Sequence, residues 1–145
     1  MPRVLVGFDG SPHARRALEA ALARLKEARG ELLVVTVIPE SVRRSSLSAM
    51  MPAGLELPGP LNGTFEEHAQ ERLDEVVAQA KAAGVSARGE LRHGATVEGI
   101  LAAASEFKAD EILLGVKSYE GPDRHQGPNA TEIARRSKVP VVLVP

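Results

Sequence analysis

Residues 3–8, RVLVGF, form a short apolar run closed by Asp9-Gly10. A continuous run of that length predicts a strand buried on both faces. Ser11 then offers an N-cap oxygen, and Pro12 suits the first helical position. Behind them Ala14, Leu18, Ala21, Leu22 and Leu25 recur at helical spacing, with Arg15, Arg16, Glu19 and Lys26 between. The spacing predicts an amphipathic helix ending near Gly30. ELLVVTVI at 31–38 reads as a second buried strand. Strand, capped helix and strand make a βαβ unit, whose crossover is right-handed.

The pattern changes at 39–63, PESVRRSSLSAMMPAGLELPGPLNG, which is rich in Pro, Gly and Ser. A connection this long is uncommon inside a compact domain and reads as a mobile flap, with a short helix around Leu47 to Met51. The βα rhythm then resumes. Thr64-Phe65-Glu66-Glu67 has the form of a capping box, and Phe65, Ala69, Leu73, Val76 and Ala80 share one helical face up to Gly84. Val85, Ala87, Gly89 and Leu91 alternate with polar residues, as in a half-exposed edge strand. Thr96 to Phe107 reads as a helix with Val97, Ile100, Leu101 and Ala104 inward, and EILLG at 111–115 as a buried strand. A loop over 116–127, a helix from Asn129 to Ser137 and a strand from Val139 to Val144 complete five strands and four helices. Such alternation predicts an α/β fold with a parallel sheet and helices on both faces.

Composition narrows the function. The length of 145 residues fits one domain, and the apolar fraction of 43% is ordinary. Aromatics are only 3%, which supplies little for stacking on single-stranded nucleic acid, and a net charge of −1 gives no basic footprint. No nucleic-acid partner is expected. The chain has no cysteine, which removes disulfides, thiolate chemistry and zinc–cysteine sites. The opening MPRVLVGFDG does not read as a signal peptide, and no apolar run approaches a membrane span, so no membrane partner and a cytoplasmic location are expected. His13, His68, His93 and His125 are scattered without metal-ligand spacing, and no general base or nucleophile stands out. No catalytic residue is assigned.

Phe8-Asp9-Gly10-Ser11 with Ala14 to Leu18, the stretch from Gly94 to Ala104, Ala109-Asp110-Glu111-Ile112-Leu113-Leu114-Gly115, and the ending Val139-Pro140-Val141-Val142-Leu143-Val144 stand in one order and spacing. Together they resemble the universal stress protein family across residues 1–145. The resemblance implies a Rossmann-like sheet of order 3-2-1-4-5, with Asp9 and Gly115 ending neighbouring strands at a topological switch point. It also implies a stress-response module that binds ATP, with Mg as a possible companion. ATP-binding members carry G-x-x-G, nine residues, then G-S or G-T, because glycine lets backbone N–H groups approach phosphate. Here Gly115-Val116-Lys117-Ser118 has Ser for the second Gly, and Gly127-Pro128 follows after eight residues with Pro in place of Ser or Thr.

The nucleotide-binding set implied is Gly7, Phe8, Asp9, Val37, Leu114, Gly115, Lys117, Ser118, Gly127, Pro128, Asn129 and Ala130. Asp9 would accept from adenine or ribose; the plainer reading is a turn residue bonded to its own backbone. Val37 would pack on adenine or simply fill the core, and Gly127-Pro128 reads first as a helix start. Lys117, Arg124 and His125 could meet phosphate. Weak ATP binding is therefore the expectation. The alternatives are a dimeric protein-interaction module without nucleotide, and slow ATP hydrolysis at most. The resemblance also implies a homodimer through the strand from Val139 to Val144, whose apolar edge carries no charge.

Overall fold

The structure is a computed structural model that describes residues 1–39, 64–116 and 128–145. The expected flap at 40–63, with Arg43, Arg44 and the short helix at Leu47 to Met51, lies outside the described residues, as does 117–127.

The order of elements is β1 (Arg3–Gly7), α1 (Pro12–Ala28), β2 (Glu31–Ile38), α2 (Phe65–Ala82), β3 (Ser86–His93), α3 (Thr96–Phe107), β4 (Glu111–Gly115), α4 (Pro128–Arg136) and β5 (Val141–Val144). All strand pairs are parallel, in the order β3-β2-β1-β4-β5. The sheet separates two apolar layers because side chains alternate along each strand. Val4, Val6, Val34 and Leu113 join Leu18 and Leu25 of α1 and Leu73 and Val76 of α2. Leu5, Leu33, Val35, Ile112 and Leu114 join Ile100 and Phe107 of α3 and Ile133 of α4. Central strands buried on both faces are why their sequences read as unbroken apolar runs. Each fully buried Leu or Ile stabilises by about 1.5–3 kcal/mol.

The helix starts follow their caps. The Ser11 hydroxyl accepts from Ala14 N at 3.2 Å, and the Thr64 hydroxyl from Glu67 N at 3.0 Å. Helix α1 ends at Ala28, near Gly30 as expected, and its cap is Arg29 in the left-handed region at φ 54. Gly30 answers a different demand: a Cβ there would lie 2.1 Å from Pro2 O. Along α3 the fully buried positions are Ile100, Ala103, Ala104 and Phe107, while Val97 and Leu101 are half-buried. Helix α4 begins one residue earlier than expected, at Pro128, and ends at Arg136.

The last strand also starts later than its apolar run, at Val141. Pro140 has no N–H for a ladder, and the Ser137 hydroxyl ties off the preceding turn by donating to Val139 O at 2.7 Å. The two sheet edges contrast. Strand β3 carries Arg88, Glu90 and Arg92, with Arg92 paired to Glu90 at 2.8 Å and also to Glu106. Strand β5 carries VVLV, all half-buried. No helix among the described residues is long and apolar enough to cross a membrane.

Candidate functional site

The order β3-β2-β1-β4-β5 sends the chain in opposite directions from β1 and β4, which opens a crevice at their C-terminal ends. The crevice has a volume of about 210 Å³. Its walls are Val35, Val37, Ile100, Leu114, Ala130 and Ile133, all from the layer shared by α3 and α4. Its floor exists because of Gly7. That position faces the same layer as Leu5, but a Cβ would lie 2.9 Å from Leu114 Cδ2 and 3.3 Å from Ile100 Cδ1. Any side chain there would fill the crevice. Gly99 acts similarly from α3, where a Cβ would lie 2.9 Å from Val37 Cγ2.

The lip is polar. Phe8 leaves β1 with its N–H on Val35 O at 2.8 Å, while its carbonyl accepts from the buried Thr36 hydroxyl at 2.7 Å. These bonds fix the direction in which the chain enters Asp9. Asp9 Oδ1 accepts from Ser11 N at 2.9 Å, so the turn role foreseen for this residue is real. Burial acts to raise the Asp9 pKa, but the Ser11 hydrogen bonds and the nearby His13 outweigh it and hold the carboxyl below its usual value. The carboxylate is ionised at neutral pH and remains exposed at the lip. Gly10 takes φ 84 behind it, with Arg72 packed against that turn. Thr96 at the start of α3 and Asn129 at the start of α4 add polar groups, and His13 reaches the crevice from α1.

Gly115 has a third explanation besides ligand approach and a turn. A Cβ would lie 2.1 Å from His13 O, so the residue lets β4 abut the first turn of α1.

Of the positions singled out from sequence, Gly7, Phe8, Asp9, Val37, Leu114, Gly115, Asn129 and Ala130 all line this one crevice. Pro128 is the first residue of α4, as its helix-start reading required. Lys117, Ser118 and Gly127, with Arg124 and His125, lie outside the described residues, in the segment joining β4 to α4. Sequence reasoning missed His13, Ala14, Val35, Thr96, Ile100 and Ile133. Val35 stands two residues before Val37 on one strand, and Ile133 stands one helical turn after Asn129; those spacings were the available signal. Among the described residues, no group of three or more His, Asp or Glu side chains could hold a metal ion.

Comparison with known proteins agrees with this architecture. The chain is 26% identical over 144 residues to the universal stress protein YxiE of Bacillus subtilis, covering 98% of this chain and 97% of that one. A crystal structure of a universal stress protein family member from Burkholderia pseudomallei matches with a TM-score of 0.70 at 26% identity, over 99% of this chain and 95% of the other. A universal stress protein solved in complex with cAMP matches with a TM-score of 0.69 at 26% identity, over 99% and 95%. The sequence profile of the Universal stress protein family matches residues 1–145, and the chain belongs to that family.

Proposed function

We propose that the chain works as one cytoplasmic regulatory domain that binds an adenine nucleotide weakly in the β1–β4 crevice. The observation that carries this reading is the gap over Gly7, walled by aliphatic side chains and overlooked by an ionised Asp9. A flat purine suits such a slot, and a carboxylate accepts from an exocyclic amine or a ribose hydroxyl. The relative bound to cAMP supports the choice of base. The crevice holds about 210 Å³, below the roughly 300–1,000 Å³ of common ligand pockets. The phosphates would therefore extend toward the segment between Val116 and Pro128, with Lys117, Ser118 and Gly127 as their partners. Mg²⁺ enters this reading only as a companion of those phosphates. Native mass spectrometry of freshly purified protein, followed by calorimetry with ATP, AMP and GTP, tests it. Adenine nucleotides should bind and GTP should bind less well. Absence of adenine-nucleotide binding at millimolar concentration would overturn it.

Pro128 favours the second reading, a module that has lost nucleotide binding. It opens α4, where a serine would add both an amide donor and a hydroxyl. Replacing Pro128 with serine should tighten ATP binding by up to about tenfold, the equivalent of roughly 1.4 kcal/mol for one restored donor. Calorimetry showing unchanged affinity would mean that the missing donor does not limit binding.

We also propose a homodimer that pairs β5 strands across a two-fold axis. Strand β5 lies at a sheet edge with an uncharged sequence, and an isologous contact is the commonest way to cover such an edge. Val142→Lys should shift the protein toward monomer in sedimentation velocity. A parent protein that already sediments as a monomer at micromolar concentration would end this proposal.

A further inference from the structure

A second concavity lies at the end of the α3–α4 layer away from the crevice. It has a volume of about 320 Å³, against about 210 Å³ for the crevice. Leu101, Ala104 and Val139 make its floor, and Lys108, Arg136 and Lys138 stand around it. Among the described residues, no carboxylate lines it.

The charges do not cancel locally. Helices α3 and α4 both end at this cavity, and each C-terminus carries about half a negative charge. Together they offset about one of the three cations. Arg136 is answered by Glu98 at 3.0 Å. Lys108 and Lys138 have no ion pair among the described residues. About one positive charge is therefore left over an apolar floor.

Lys108 is also held in an unfavourable backbone state. It takes φ 57 and ψ 49 at the end of α3, the left-handed region where glycine carries no penalty and a side chain does. Arg29 closes α1 in the same state, so what distinguishes Lys108 is its place on the cavity rim. On the same rim, the Ser105 hydroxyl has no hydrogen bond among the described residues.

We propose that this cavity binds a small amphipathic monoanion, an organic carboxylate with a short apolar body. The carboxylate sits between Lys108 and Lys138 with Ser105 as a further donor, and the apolar body lies on Leu101, Ala104 and Val139. The site is separate from the crevice and does not depend on nucleotide binding there.

Octanoate is a suitable probe, with octanol and octylammonium as uncharged and oppositely charged controls, each titrated into the full chain and followed by amide chemical shifts. Octanoate should bind about tenfold or more tightly than either control, the value of one charge-assisted hydrogen bond. Its shifts should fall at residues 101–109 and 136–139, and saturating ATP should not displace it. Lys108→Gly removes the charge and the backbone strain together, so it should melt no lower than the parent yet lose about tenfold in octanoate affinity. Lys138→Ala should lose a similar factor. Equal binding of octanoate and octanol, shifts confined to Gly7, Asp9 and Thr96, or full affinity in the folded Lys108→Gly variant would each overturn the proposal.

Discussion

Gly115→Ala should destabilise the protein by about 3 kcal/mol, the upper end of the usual cost of overpacking. The added Cβ would lie 2.1 Å from His13 O, 2.2 Å from His13 C and 2.5 Å from Ala14 N. All three are backbone atoms, so no rotamer change relieves the contact. Helix α1 cannot easily retreat either. Its start is held by the Ser11 cap, and Ala14, Ala17 and Leu18 are buried behind it. Urea unfolding measures the effect. Gly84→Ala is the comparison, because nothing lies within 4 Å of its Cβ position and only its φ of 85 opposes a side chain. That variant should lose about 1–2 kcal/mol. A Gly115→Ala protein within about 0.5 kcal/mol of the parent would show that β4 and α1 can separate freely. Because His13 also borders the crevice, the same substitution should weaken ATP binding.

Asp9→Ala should lower ATP affinity by roughly one to two decades, the effect of removing a hydrogen bond to a charged group, about 1.5–3 kcal/mol. The carboxylate is ionised and exposed at the lip, so it is ready to accept from a ligand. Its depressed pKa also sets the sign of a pH effect. A carboxyl whose folded pKa lies below the unfolded value contributes stability above the unfolded pKa, about 3.9. That contribution is lost as the pH falls through the folded pKa. The stability difference between the parent and Asp9→Asn should therefore be constant from neutral pH down to about pH 5 and shrink below about pH 4. Calorimetry at neutral pH checks the affinity, and denaturation along an acid series checks the sign. An Asp9→Ala variant with parental ATP affinity would remove this residue from the binding site.

The fold was legible because each local signal agreed with its neighbours. Ser11-Pro12 and Thr64 mark helix starts with the hydrogen bonds that such residues make, and both caps are present. The strands buried on two faces read as runs, while β3, exposed at an edge, reads as an alternation. The conformations that close the helices were less legible than their positions. Arg29 and Lys108 both close helices in the left-handed region, and nothing in their chemistry announces it. Gly30 directly follows the cap of α1, as a helix-stop glycine commonly does, and its lack of a side chain also serves the contact with Pro2. The crevice divides in the same way. Asp9 and Gly115 end their strands, and sequence order alone places them. Ile100 and Thr96 reach the crevice from α3, and whether they face it depends on how closely α3 approaches β2. That distance is set by Gly99 against Val37, a contact between elements far apart in the sequence.

The two flanks of the sheet differ in what they can accept. Along β3, the paired Arg92, Glu90 and Glu106 would have to shed water and partners before another strand could dock. Along β5, four aliphatic residues carry no such ion pairs among the described residues. A sheet with one receptive flank can gain one neighbour, and that neighbour, using its own receptive flank, has none left to offer. In the proposed dimer, association by strand pairing would stop at two chains, with the route to an open-ended fibre closed by the charges on the opposite side.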